Sequence, residues 1–158
     1  MLERQAARWI GQFIGYDDNA KGLFTSGGTI SNITALAAAR TKRFPNARKE
    51  GVRDRVAIYC SQEAHYSNIR AVELLGFGSE AIRSIEIDEN RRMKMDAFEA
   101  QIRRDIEDGV VPLAVIASSG TTLTGAVDPL DAIADICAKY GIWMHIDGAY
   151  GAPAAGAA

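Results

Sequence analysis

Leu113-Ala114-Val115-Ile116-Ala117 runs without a polar residue into Ser118-Ser119-Gly120-Thr121-Thr122, a turn of small polar residues. A strand with one wet face alternates apolar and polar side chains. An unbroken apolar run reads instead as a strand covered on both faces, the pattern of a parallel sheet between helices. The same grammar recurs on either side. Upstream, Val56-Ala57-Ile58-Tyr59-Cys60 leads into the turn Ser61 to His65; downstream, the largely apolar run Ile142 to Ile146 ends at Asp147.

Helical patterns separate these runs. Ser31 to Phe44 is rich in alanine and closes at Pro45, and residues 65–75 stop at Gly76 and Gly78. Asp96 with Glu99 has capping-box spacing and opens a helix to Asp108. Asp128-Pro129 places a cap residue before a proline, opening a helix to Tyr140 that ends at Gly141. Ile82 to Ile87 alternates, which predicts a strand less covered on one side. Near the N-terminus, Leu2, Ala6, Trp9, Ile10, Phe13 and Ile14 predict a helix with one buried stripe. Trp9 and Phe13 read as core packing, with a contact to a second subunit as the alternative. Gly22-Leu23-Phe24-Thr25 reads as a short strand, Arg48 to Arg55 as a solvated connection, and nothing after Asp147 signals a further element. Strands alternating with helices give an α/β fold, a mostly parallel sheet flanked by helices, and the sequence is expected to stop in mid-fold.

The 158 residues suit one domain, at roughly 150 residues per domain. Hydrophobic residues at 47% and charged residues at 24% exclude a disordered chain. A net charge of −2 offers no general attraction to nucleic acid or to an anionic membrane, so neither is expected as a partner. No apolar run approaches the roughly 18 residues of a membrane span, and no signal-peptide core precedes the first helix, so a cytoplasmic location is expected. Cys60 and Cys137 lie in apolar stretches and read as small buried hydrophobes. With His65 and His145 they match no paired metal-ligand spacing, so no metal is expected.

In open parallel sheets, ligands bind beyond the carboxyl ends of the strands. Four polar groups fall there: the Ser26-Gly27-Gly28-Thr29 turn, the Ser61–His65 turn, the Ser118–Thr122 turn, and Asp147. Glycines before a helix allow close approach to free N–H groups with positive dipole character, which is a phosphate site in physical terms. The same turn also reads as a plain strand-to-helix connection capped by Thr29 or Ser31. His65 can transfer protons or stack on a ring, or simply start a helix. Asp147, at the inner end of a buried strand, needs a partner: an arginine, a metal, an N–H donor or a protonated ring nitrogen, unless it caps the next turn. Thr121 and Thr122 offer hydroxyls at the same rim, or cap their own loop.

Four stretches together resemble the group II pyridoxal-phosphate-dependent decarboxylases, the family of aromatic amino acid and glutamate decarboxylases. They are FTSGGTISNITALAAAR (24–40), SQEAHYS (61–67), ASSGTTLTGAVDPL (117–130) and WMHIDGAYGAPAA (143–155). The resemblance implies a fold-type-I large domain and pyridoxal 5'-phosphate as cofactor. It implies that Gly28 and Thr29 bind the phosphate, His65 stacks on the pyridine ring, Thr121 lies by the cofactor, Asp147 pairs with the pyridine nitrogen, and Ala149 touches the other ring face. It also implies an amino acid substrate, a homodimer and decarboxylation as the reaction, with His65 and Asp147 in the catalytic machinery. The family's covalent lysine follows a histidine. None of Lys21, Lys42, Lys49, Lys94 and Lys139 does, and none lies after Asp147. Residues 1–158 are therefore expected to be a partial cofactor-binding domain without that lysine or the small C-terminal domain, inactive alone. The alternatives are another fold-type-I enzyme, an aminotransferase or sulfur lyase, or a non-catalytic α/β module.

Overall fold

The computed structural model describes residues 2–157. Helices α1 (Leu2–Phe13), α2 (Gly28–Arg43) and α3 (Ala47–Glu50) precede strand β1 (Val56–Ser61). Then come α4 (Tyr66–Leu74), β2 (Ile82–Ile85), α5 (Met95–Glu107), β3 (Val111–Ser118), α6 (Leu130–Tyr140) and β4 (Trp143–Asp147). The four strands form one sheet in the order β2-β1-β3-β4, with every neighbour parallel.

The continuous apolar runs are explained by cover on both faces. Successive strand residues point to opposite sides. Ala57 and Tyr59 of β1 and Val115 and Ala117 of β3 enter one core with Phe98 and Ile102 of α5 and Ile133 and Cys137 of α6. Ile58 and Cys60 of β1 and Ala114 and Ile116 of β3 enter the other, with Leu36 of α2 and Ala71 and Val72 of α4. From β1 the chain steps one way to β2 by α4, then back past β1 to β3 by α5. Reversing direction while keeping right-handed crossovers requires the two helices to lie on opposite faces, as they do. The switch between β1 and β3 opens a crevice at their carboxyl ends. Pro112, which has no N–H to give the ladder, coincides with a register shift against β1 at Ala57/Ile58.

Several local expectations are corrected. The apolar stripe of α1 is not buried: Trp9 is 63% and Phe13 56% exposed. The half-buried residues of α1 are the small ones, Ala6, Ala7 and Gly11, with Ile14 just beyond, so only Ala6 and Ile14 of the expected stripe face inward. Gly22–Thr25 forms no strand, because no neighbouring strand supplies a ladder; the Phe24 N–H donates to the Glu3 carboxylate at 3.0 Å. α2 starts at Gly28 rather than Ser31, α3 forms at the start of the connection before β1, and a 3-10 helix (Ala152–Ala157) follows β4. Ile87 lies outside β2 and bridges antiparallel to Met93. Among the described residues no helix is long and apolar enough to cross a membrane.

Neither capping aspartate caps its helix. Asp96 lies inside α5, whose cap position is Lys94, and accepts the N–H of Ala97. Asp128 is buried and its carboxylate accepts the N–H of Met93 and the N–H of Ser118, each at 2.8 Å. It thereby pins the 118–128 loop to the end of β3 and to the segment before α5. Gly120, at the base of this loop, has φ +91°, and a Cβ there would stand 2.9 Å from the Gly151 Cα.

Asp128→Ala leaves two buried N–H groups without an acceptor and is expected to lower stability by about 3 kcal/mol in urea unfolding at neutral pH. Burial raises the Asp128 carboxyl above its usual 3.8, against the pull of its two N–H donors. The folded state then holds the proton more tightly than the unfolded one. This group's contribution to stability therefore falls as pH rises from about 3.8 to the raised value, and is level above it. Asp128→Asn is expected to remove that acid-range slope from a series of thermal midpoints. Gly120→Ala is expected to destabilise by about 2–3 kcal/mol, from strain plus the contact with Gly151. Gly125→Ala (φ +70°, nearest contact 3.8 Å) is expected to cost about 1 kcal/mol.

Candidate functional site

Parallel strands bring their carboxyl ends to one edge, and the polar residues that follow them converge there. Ser118 and Asp147 are register partners across β3 and β4. A cavity of about 210 Å³ opens at this edge. Gly28, Thr29, His65, Thr121, Asp147 and Ala149, the six residues singled out in the sequence, all line it.

One side is the start of α2. The Ser31 N–H donates to the Gly27 carbonyl at 3.1 Å, so the N–H groups of Gly28, Thr29 and Ile30 have no acceptor in their own helix. Gly27 sits at φ +146°, a backbone that L side chains rarely adopt, and a Cβ on Gly28 would meet only open space. The first turn carries no acidic residue. Free donors, helix dipole and room without repulsion make a seat for an anion.

The other side is Asp147. Asn32 stands one turn beyond Gly28, about 6 Å along the helix axis. Its Nδ2 donates to Asp147 Oδ2 at 3.4 Å and to Ser67 Oγ at 3.0 Å. Asn68 of α4 donates from Nδ2 to the same Oδ2 at 3.1 Å. Since the carboxylate needs donors, both carboxamides must turn their NH₂ groups toward it. Asn32 Oδ1 then faces His145 Nε2 at 2.8 Å and accepts its proton. Burial pushes the His145 imidazole down from its usual value, against the pull of Asp147, so it is neutral at pH 7 with the proton on Nε2. Ser67 Oγ, already accepting from Asn32, donates to His65 Nδ1 at 2.7 Å. The His65 Nδ1 also accepts the Ser67 N–H, which caps α4, and its ring proton is left on Nε2.

Thr121 both lines the cavity and shapes its loop. Its Oγ1 lies 2.7 Å from Thr124 Oγ1 and accepts the Ala126 N–H at 3.2 Å. Among the described residues no lysine lines the cavity. Asn32, Ser67, Asn68 and His145 did not emerge from the sequence as site residues, although signals existed. Asn32 is four residues after Gly28 and Asn68 three after His65, so each shares a helix face with a candidate. His145 is two before Asp147 on a strand and shares its side of the sheet.

The site and fold can be set beside known proteins. Residues 1–155 match the family described as the pyridoxal-dependent decarboxylase conserved domain. An aromatic-L-amino-acid decarboxylase of Bacillus atrophaeus is 41% identical over 153 residues, which are 97% of this chain and 31% of that protein. A cysteine sulfinic acid decarboxylase of Rattus norvegicus is 38% identical over 96% of this chain and 31% of its own length. The crystal structure of mouse CSAD in its apo form superposes with a TM-score of 0.92 at 38% identity, over 96% of this chain and 32% of that one. The chain thus spans about a third of the length of these relatives. With its all-parallel sheet, its helix-start anion seat and a match that runs nearly end to end, the chain belongs to the pyridoxal-dependent decarboxylase family.

Proposed function

We propose that residues 1–158 are part of the large cofactor-binding domain of a pyridoxal-phosphate-dependent amino acid decarboxylase. The observation that carries this reading is the hydrogen-bonded link from α2 to β4. Through Asn32, one helical turn beyond Gly28, it ties the helix that carries the free N–H groups of Gly28 and Thr29 to the Asp147 carboxylate, and all three residues line one cavity. The donor set fits the group: free helix N–H groups for a phosphate, a carboxylate for a protonated ring nitrogen, and flat or small side chains between. When bound, pyridoxal phosphate supplies an electron-accepting ring for bond cleavage at the α-carbon of an amino acid.

This chain's own residues then have distinct tasks. The N–H groups at the start of α2 bind the phosphate, and the Gly28 site leaves room for its oxygens. Asp147 holds a proton on the ring nitrogen. His65, its Nδ1 tied to Ser67, would cover one face of the ring and Ala149 the other, since both line the cavity. Thr121, which lines the cavity from the 118–128 loop, would lie by the cofactor. The covalent lysine comes from outside the cavity lining seen here. Relatives named for an aromatic and for a sulfinic substrate match this segment at 41% and 38% identity. Such even similarity fits a segment that serves the shared cofactor while substrate choice lies elsewhere. A homodimer completes the reading, supported by the exposed Trp9 and Phe13 on α1.

In the full-length gene product, carbon dioxide release from a panel of amino acids and equilibrium dialysis with pyridoxal 5'-phosphate test the reading together. Asp147→Ala removes a charge-assisted hydrogen bond and is expected to weaken cofactor binding about 10- to 100-fold. Unchanged cofactor affinity in that variant would show that the carboxylate does not meet the ring.

A further inference from the structure

Asp147 accepts two carboxamide N–H groups, and both arrive at the same oxygen, Oδ2. Among the described residues no hydrogen bond reaches its Oδ1, and the side chain lines the cavity. A free carboxylate turns about its terminal bond, and its two oxygens are equivalent. Two donors from two different helices remove that equivalence.

We propose that Asn32 and Asn68 are positioning residues that clamp Asp147 by Oδ2, so that Oδ1 alone is offered to the N–H of a planar cationic heterocycle in the cavity. This rests on the proposed function and names how the chain achieves its central contact.

Three features support it. First, both asparagines are buried, Asn32 at 4% and Asn68 at 1% exposure, within helices that asparagine does not favour. Second, the clamp is held from behind. The Asn32 carboxamide is fixed by His145 Nε2–H on its oxygen and by Ser67 Oγ on its nitrogen, so it cannot rotate without losing bonds. Third, Asn68 Oδ1 is buried with no hydrogen-bond partner. An orphaned buried carbonyl costs stability, and turning the amide over would set that oxygen against the carboxylate. The fold keeps a local defect that brings an N–H to Asp147 Oδ2, which is the expected mark of a residue retained for its effect on a site.

The test compares two ligands on the full-length gene product. One is pyridoxal 5'-phosphate; the other is its carbocyclic analogue, with C–H in place of the ring nitrogen. Dissociation constants are measured by equilibrium dialysis for the unsubstituted protein and for Asn32→Ala, Asn68→Ala and Asn68→Leu. The unsubstituted protein is expected to prefer the nitrogen-containing ring, and each substitution to cut that preference roughly tenfold while the analogue's own affinity stays level. Asn68→Leu, which removes the orphaned carbonyl at similar volume, is expected to do so without a lower thermal midpoint. A residue of purely structural value would show the reverse, a lower midpoint with the preference intact. Equal weakening of both ligands, or an unchanged preference in all three variants, overturns the clamp. No preference in the unsubstituted protein overturns instead the assignment of Asp147 to a ring nitrogen, and the clamp's purpose with it.

Discussion

The hydrogen bond from Asn32 to Asp147 is short in reach and long in consequence. It crosses 115 residues of sequence and joins the helix before the first strand to the end of the last. The N-terminal end of α2 and the carboxylate at the end of β4 are the two poles of the cavity. Their separation follows from the helical rise between Gly28 and Asn32 together with the reach of the Asn32 side chain. Everything around it follows from the sheet. Parallel strands buried on both faces have no room for polar side chains along their length, so polar groups collect where the strands end. The reversal between β1 and β3 leaves a gap between α4 and the 118–128 loop at that edge, and the cavity occupies it.

The strands were legible because burial on both faces leaves a signature that needs no tertiary knowledge. Val56–Cys60 and Leu113–Ala117 contain no polar residue, and few other local structures tolerate that. What covers a surface was not legible. The apolar spacing of α1 shows which face avoids water, yet Ala7 and Gly11 sit against the chain while Trp9 and Phe13 face outward. Gly22–Thr25 fails for the same reason: a strand is defined by its neighbour, and four residues carry no record of one. The aspartate caps are a subtler case. Asp128 stands before a proline at the head of a helix, as a cap should, but the N–H groups it satisfies belong to Met93 and Ser118, far away in sequence.

Of the six candidate residues, Ala149 rested on the family resemblance alone; the other five, Gly28, Thr29, His65, Thr121 and Asp147, stand where an apolar strand ends or a helix begins, which is a positional argument. Asn32 and Asn68 escaped it because asparagine in a helix reads as solvated surface. Their burial is visible only in three dimensions. So is the chain of donors from His145 through Asn32 and Ser67 to His65. That chain has a single consistent direction. The Asp147 carboxylate accepts only, which orients both amides; the amide of Asn32 orients the proton of His145; and Ser67, with one hydrogen to give, gives it to His65. One negative charge thereby fixes the tautomers of two imidazoles that it does not touch.

This ordering bears on why His145 is a histidine at all. A neutral imidazole two residues from a carboxylate on one strand is, at first sight, a poor choice, because a carboxylate attracts a proton to its neighbour. Burial opposes that attraction and prevails. Had the imidazole been charged, it would compete with any cation in the cavity for the field of Asp147. Kept neutral, it donates to Asn32 and leaves the charge of Asp147 uncompensated. A cavity with a carboxylate that has no cationic partner among the described residues at one pole, and helix N–H groups without a helical acceptor at the other, is complementary to a ligand that is cationic at one end and anionic at the other. Pyridoxal phosphate, protonated on its ring nitrogen, has that distribution of charge.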